Sequence, residues 1–409
     1  MNLHLQLSSL TGKATIQVSG SKSETNRLLL LQALYPNIIL ENTSNSDDSE
    51  VMLKALSSDE AVIDIHHAGT AMRFLTAYFS IQEGRTVTLT GSSRMKERPI
   101  KILVDALRQL GAEIEYKENE GFPPIKITGK KLVQNKVTLK ADVSSQYISA
   151  LLLIAPKLEH GLELTLDGII TSIPYIKMTL ALLNEIGIET PFKENKIIVF
   201  PQFEIHNSKF TIESDWSSAS YFYSIVALAE ENTEITLSSY KENGFQGDSA
   251  LAGIYKNFGV ETIFENHSIV LRKSNHLKLE TLNLGLNETP DLAQTITVTC
   301  FGLGIGCHLT GLHTLKIKET DRLEALKNEL SKLGAKVSIT NDSLTLESSN
   351  SVNSNIKIAT YNDHRMAMAF APLAIKVPIE IENAEVVSKS YPDFWKDLKT
   401  VGFEISEQK

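Results

Sequence analysis

Short runs in which apolar and polar residues alternate, each ending on a small or polar turn, recur along the chain. Each is followed by a polar loop, a stretch of helical period, a glycine and a second alternating run. The phrase is clearest as Leu89-Thr90-Gly91 with Leu110-Gly111-Ala112, as Leu166-Asp167-Gly168 with Ile186-Gly187-Ile188, and as Leu309-Thr310-Gly311 with Leu333-Gly334-Ala335. Fainter copies are Leu237 to Ser239 with Phe258-Gly259-Val260, and Ile381-Glu382-Asn383 with Val401-Gly402-Phe403. The glycine closing each helical stretch is the expected C-terminal cap. Successive copies start about 70 to 77 residues apart, and a first copy at Leu40-Glu41-Asn42 begins only about 50 before the second. One short copy and five full ones are expected, with the shortening between Leu56 and Ile63.

A second helix in each copy has a polar start and then almost continuous apolarity. Examples are Gly69-Thr70-Ala71-Met72 before Arg73 to Phe79, Ser144-Ser145-Gln146-Tyr147 before Ile148 to Ala155, Ser217-Ser218-Ala219-Ser220-Tyr221 before Phe222 to Ala229, and Asp363 to Met368 before Ala369 to Ile375. A helix apolar all round is buried on nearly all sides, with strands packed about it. Each copy then reads βαβαββ, and three copies per half predict an α/β (α+β) fold of two similar domains. Met1 to Val18 reads as a strand pair preceding the first repeat, and we assign it to the second half. The expected domains are 1–18 plus 215–409, and an inserted 19–214, with a hinge of two chain crossings near Ser19 to Ser21 and Ile212 to Ser214.

At 409 residues the chain is too long for one ordinary core. Its net charge of -9 argues against a nucleic-acid or anionic-membrane partner, so any anion site must be local. Cys300 and Cys307 lie in one apolar stretch without metal-ligand spacing, which suits core packing in a reducing compartment. No apolar run reaches the length of a signal peptide near Met1 or of a membrane span elsewhere, and a soluble, cytoplasmic protein is expected.

Four charged clusters sit at loop-to-helix junctions: Gly20-Ser21-Lys22-Ser23 with Arg27, Arg94 to Pro99, Lys318-Glu319-Thr320-Asp321-Arg322, and Asn362-Asp363-His364-Arg365. In the third, Lys318, Glu319 and Arg322 are expected on or beside one face of the first helical turn. A helix N-terminus already attracts anions, and added Lys or Arg strengthens that field. Bases facing each other at about 4 Å repel by roughly 4 kcal/mol at an effective dielectric near 20, which predicts that a multiply anionic small molecule fills the gap. Gly20-Ser21-Lys22-Ser23 is not a Walker A loop, because Ser21 stands where glycine is required, and this disfavours a nucleotide kinase. His66-His67 is a poor metal pair, since neighbours on a strand point to opposite faces. Thr289-Pro290-Asp291 reads as an N-cap, a proline at the first helical position and an acid at the second, and a structural role for Asp291 weighs equally with a catalytic one.

Taken together, Gly20-Ser21-Lys22-Ser23 with Asn26-Arg27, Ala68 to Arg73, Arg94 to Ile100, Ser144-Ser145-Gln146, Ser172 with Pro174-Tyr175, Lys318 to Arg322 and Tyr361 to Met368 resemble the 5-enolpyruvylshikimate-3-phosphate (EPSP) synthase family. The match keeps the family's order from about residue 13 to residue 395. The resemblance implies two domains of three βαβαββ units each (an inverted α/β barrel or prism) closing over the site. It also implies transfer of the enolpyruvyl group of phosphoenolpyruvate to the 5-hydroxyl of shikimate 3-phosphate, releasing phosphate, on the way to chorismate. By the same resemblance Lys22, Ser23, Arg27, Ser144, Ser145, Gln146, Ser172, Tyr175, Asp291 and Lys318 would hold shikimate 3-phosphate. Lys22, Gly69, Arg98, Gln146, Arg322, Arg365 and Lys389 would hold phosphoenolpyruvate. Asp291 would act as base on the attacking hydroxyl and Glu319 as the acid and base at the methylene carbon, with Lys22 counted as catalytic. No cofactor, metal or covalent enzyme intermediate is implied, the partners are the two small substrates, and a monomer is expected.

Three positions depart from the family pattern. His67 and Phe74 stand where asparagine and proline are usual, and Thr314 where asparagine is common. Two other readings compete. The related UDP-N-acetylglucosamine enolpyruvyl transferases share the architecture but use a loop cysteine, and this chain has no cysteine before residue 300. A non-catalytic anion-binding repeat protein would gain nothing from carboxylates such as Asp291 and Glu319 placed among the bases.

Overall fold

The computed structural model describes residues 1–10, 12–141, 144–168, 170–274 and 281–408. Its chain divides into two compact units, Met1–Gly20 with Glu213–Lys409, and Ser21–Ile212. The sheets show why the first unit is built from two segments of chain. Five sheets have four strands in the same pattern, in which the first two strands are parallel and the third and fourth form an antiparallel pair, the fourth lying beside the second. Val62–Asp64, Thr86–Thr90, Glu113–Tyr116 and Ile125–Thr128 make the second copy in this way, and Thr281–Gly285, Gly306–Thr310, Val337–Ile339 and Leu344–Leu346 make the fifth.

Copies one and four have exchanged their first strands. Ser208–Thr211 runs parallel to Ile38–Glu41, with Ser208 opposite Ile38, and completes copy one. Lys13–Ile16 runs parallel to Glu234–Ser238, with Lys13 opposite Glu234, and opens copy four. Copy one ends there with two strands, because the few residues between the helix Asp47–Ser57 and Val62 leave no room for a hairpin. The two N-terminal strands do not pair with each other as expected. Asn2–Leu5 instead lies between Ile379–Ile381 and Ile405–Gln408, filling the fourth place of copy six, while Lys13–Ile16 goes to a different sheet. Each strand has alternating burial and answers to the sheet that lacks a member, which local pattern cannot reveal.

The buried helices are Lys22–Leu34, Gly69–Ser80, Ser145–Ile154, Trp216–Leu228, Ala293–Gly302 and His364–Phe370, one per copy. Their starts are set by side-chain caps where the sequence offers one. Asp215 accepts from Ser218 N at 2.7 Å, Asp363 from Arg365 N at 2.9 Å and Ser144 from Gln146 N at 3.3 Å, each cap stabilising its helix by about 1 kcal/mol. The outer helices end on left-handed glycines, as Gly111 at φ 103° and Gly334 at φ 99° illustrate. Most residues put forward for chemistry lie at or just before a helix N-terminus of one of these two sets, while Arg27 lies in the second turn of Lys22–Leu34 and Lys389 closes a short helical turn.

Candidate active site

In the unit containing residues 213–409, one guanidinium gathers the acids. Arg322 is buried, and its Nε donates to Asp363 Oδ2 at 2.6 Å, its Nη1 to Asp291 Oδ1 at 2.8 Å and its Nη2 to Glu319 Oε2 at 2.8 Å. Asp363, fully buried, turns its other oxygen to Arg365 N and so caps the helix that carries Arg365. Arg365 donates from Nη1 to the Asp291 carbonyl at 3.2 Å and from Nη2 to Asp291 Oδ2 at 3.4 Å. Lys318 Nζ stands 3.5 Å from Asp291 Oδ1. Lys389 reaches the same loop by donating to the Asn362 carbonyl at 2.6 Å.

Two local expectations change here. Lys318 and Glu319 are not in the first turn of a helix. Asp321 caps the helix by accepting from Leu323 N and Glu324 N, so Arg322 is the first helical residue and Lys318 and Glu319 belong to the loop before it. From this loop Glu319 reaches back onto Arg322 at 2.8 Å. Asp291 follows Pro290 in one tight turn ahead of Ala293–Gly302, and its carboxylate is spent on cations rather than on capping. The expected gap between repelling bases is also closed differently: Asp291, Glu319 and Asp363 neutralise Lys318, Arg322 and Arg365 from within the chain.

These pairings set the ionisation. Burial alone would raise the Asp291 carboxyl, but Lys318, Arg365 and Arg322 outweigh it and hold the group well below the usual carboxylate range, with Glu319 opposing them. Burial weakens the Arg322 proton, and Asp363, Glu319 and Asp291 more than reverse that, so Arg322 stays charged at any working pH.

In the unit Ser21–Ile212 the bases are held otherwise. Arg27 is buried, and donates to Thr179 Oγ1 at 2.8 Å, the Ser23 carbonyl at 2.7 Å, Ser149 Oγ at 3.0 Å and the Tyr175 carbonyl at 3.4 Å. The rings of Phe74 and Tyr175 flank it at 5.4 and 6.0 Å. Its contacts here tie three helices together, and Tyr175 backs it. Lys22 pairs with Asp48 at 3.4 Å. Gly69 opens its helix under the Arg98 guanidinium so closely that a Cβ there would sit 2.5 Å from Arg98 Nη1. Gln146 Nε2 donates to Thr70 Oγ1 at 3.1 Å and Tyr147 Oη to the Pro99 carbonyl at 2.6 Å, drawing the Ser144-Ser145-Gln146 helix start to the Gly69 and Arg98 segments. Ser172 is left-handed at φ 54° and its side chain caps nothing at the start of Ile173–Glu185. His67, one of the departures, meets Ser92 Oγ through Nδ1 at 2.8 Å.

Three acids went unassigned from the sequence. Asp363 stood inside a charged cluster without a role of its own, and Asp48 and Asp248 were not singled out. Only their distances to Arg322, Lys22 and, through Ser217, Arg365 reveal them.

Residues 53–398 match the EPSP synthase (3-phosphoshikimate 1-carboxyvinyltransferase) family. A protein of Bacteroides fragilis (strain YCH46) named 3-phosphoshikimate 1-carboxyvinyltransferase is 49% identical over 397 residues, covering 96% of each chain. One of the same name from Shewanella halifaxensis is 36% identical over 418 aligned residues, covering 95% of this chain and 96% of its own. Among solved structures, EPSP synthase from Acinetobacter baumannii superposes with a TM-score of 0.80 at 21% identity, over 99% of this chain and 100% of that one. The enolpyruvyl transferase NikO from Streptomyces tendae superposes at 0.75 and 14%, covering 100% and 98%. At such identities these two speak for the fold, while the family match and the curated relatives carry the assignment: the chain belongs to the EPSP synthase family.

Proposed function

We propose that the chain acts on phosphoenolpyruvate and shikimate 3-phosphate, transferring the enolpyruvyl group to the 5-hydroxyl and releasing phosphate, as a 3-phosphoshikimate 1-carboxyvinyltransferase of the shikimate pathway. The observation that carries the chemistry is that Asp291 and Glu319 hang from adjacent nitrogens of one buried arginine, each at 2.8 Å. Addition of a hydroxyl to the enolpyruvyl double bond requires a proton removed at oxygen and one delivered to the methylene carbon. Elimination of phosphate then requires a proton taken back from the new methyl group. Two carboxylates fixed by one planar fork act at neighbouring atoms of the same adduct. Asp291 is assigned the hydroxyl proton, and Glu319 the proton traffic at carbon.

Gripped by three cations, Asp291 is a weak base. Substrate phosphate and carboxylate offered to Lys318 and Arg365 would draw those cations away and raise its basicity when it is needed. Lys22, Gly69, Arg98, Gln146, Arg322, Arg365 and Lys389 are assigned to phosphoenolpyruvate. Lys22, Ser23, Arg27, Ser144, Ser145, Gln146, Ser172, Tyr175, Asp291 and Lys318 are assigned to shikimate 3-phosphate. A cytoplasmic monomer is the working form proposed. No helix among the described residues is long and apolar enough to cross a membrane.

A phosphate-release assay tests the reading: phosphate is expected only when both substrates are present. Release with UDP-N-acetylglucosamine in place of shikimate 3-phosphate would transfer the assignment to the related enolpyruvyl transferases. The hinge expected at the two chain crossings is checked by small-angle scattering, where both ligands together should lower the radius of gyration.

A further inference from the structure

The helix Trp216–Leu228 opens on Ser217-Ser218 much as Ser145–Ile154 opens on Ser144-Ser145, yet the assignments above give this second serine pair no part. Its Ser217 hydroxyl accepts from Arg365 Nη2 at 3.2 Å and donates to Asp248 Oδ2. A hydroxyl has one proton, arginine can only donate and an ionised carboxylate can only accept, so the two bonds together leave the rotor one orientation. Asp248 is 3% exposed, and its Oδ1 has no hydrogen-bond partner among the described residues. Burial, with Asp291 and Asp215 adding to it, pushes its carboxyl up to about 6 against the opposing pull of Arg365 and the Ser217 bond.

The turn carrying Asp248 is itself clamped to the helix start. Gln246 Oε1 accepts from Trp216 N at 3.0 Å, and its Nε2 donates to Glu213 Oε2 at 3.1 Å and to the Ser214 carbonyl at 2.8 Å. A buried carboxylate with one oxygen unmatched lowers stability. Through Ser217 it presents its charge to Arg365. Two further contacts of Arg365 go to Asp291, Nη1 to its carbonyl and Nη2 to its carboxylate, and the carboxylate must change partners during turnover. When the carboxylate changes partners, the Ser217 contact still holds Nη2.

We propose that Asp248 is a positioning residue, which through the Ser217 hydroxyl holds Arg365 Nη2 in place while Asp291 is released, and so sets how that guanidinium meets the carboxylate or phosphate of phosphoenolpyruvate. The inference rests on the enolpyruvyl-transfer reading given above.

The test measures KM for each substrate, with kcat, in the wild type and in Asp248→Ala, Ser217→Ala, the double variant and Asp248→Asn. Asp248→Ala should raise KM for phosphoenolpyruvate by about tenfold, the scale of one charge-assisted hydrogen bond, and leave KM for shikimate 3-phosphate within about twofold. Ser217→Ala should match it, and the double variant should be no worse than either single, because both remove one relay. Asparagine keeps an acceptor for Ser217 and should recover most of the loss. An unaffected Asp248→Ala, equal rises in both KM values, additive single effects or failure of asparagine to recover would each overturn the relay. If Asp248→Ala does not fold, Ser217→Ala against Asp248→Asn carries the same comparison. A wild-type chain releasing no phosphate from the two substrates overturns the functional reading and the inference with it. Normal wild-type turnover with an unaffected Asp248→Ala overturns the inference alone.

Discussion

Arg27 and Arg322 are both buried guanidiniums near a helix start, one in each unit, and each is 2% exposed. Their surroundings differ in kind. Arg27 lies among hydroxyls, peptide carbonyls and two aromatic rings, and burial pulls it down to about 10 against the opposing pull of Tyr175 and Glu24. Arg322 lies among three carboxylates, which overcome the same burial. Burial sets the size of the electrostatic cost in both places, and the partners decide what the residue does. With neutral partners the arginine is a strut that keeps its positive charge for an anion. With acid partners it spends its charge in holding them at fixed spacing, which is what the proton-transfer roles proposed for Asp291 and Glu319 require.

The largest expected effect breaks the acid side of this contrast. Glu319→Gln keeps the shape and removes the proton carrier, so kcat should fall by about a thousandfold while both substrates still bind. Turnover within tenfold of wild type would take Glu319 out of the chemistry. Next is stability: Arg322→Met leaves Asp363 buried without its cation and should lower unfolding free energy by about 3–5 kcal/mol. Arg27→Met strands only neutral acceptors, at about 1–3 kcal/mol. Equal losses in denaturant melts would mean that the two surroundings do not differ as argued. Smaller again is Gly69→Ala, whose methyl would press on Arg98. Displacing one cation from its place should raise KM for phosphoenolpyruvate by about tenfold and spare KM for shikimate 3-phosphate. The smallest effect is in pH. Asp291 has a folded pKa below its unfolded value of about 3.9, so its ionised form contributes stability above that value, and the contribution is lost as pH falls toward the folded pKa. The stability gap between wild type and Asp291→Asn should therefore be flat from about pH 8 to about pH 5 and close below about pH 4. A gap that widens on acidification would reverse the sign of that pairing.

Much of the site was readable as charged residues at helix starts, because a helix N-terminus is a local feature and its cap is written within a few residues. Ser21, Ser144, Asp215 and Asp363 are such caps, and Lys22, Gln146, Ser217 and Arg365 follow within two residues of them. The loop at Lys318 and Glu319 was misread as helix because Asp321, three residues further on than Lys318, is the stronger cap. Apart from Glu319, three residues before Arg322, the partners of the cations were not readable. Asp48 is 26 positions from Lys22, as the numbering gives, and Asp363 is 41 from Arg322, separations that no periodicity spans.

By itself the sequence determined the six-fold repetition, the short first copy, the buried helices with polar starts and the membership of a family, since each is written in neighbouring residues. Only the tertiary structure decided that copies one and four exchange first strands, that Asn2–Leu5 fills the last sheet, and that carboxylates rather than empty space separate the bases. Strand exchange and ion pairing both depend on which distant segment supplies the missing edge or the missing charge. That choice is made by the free energy of the whole packed unit and leaves no trace in local pattern.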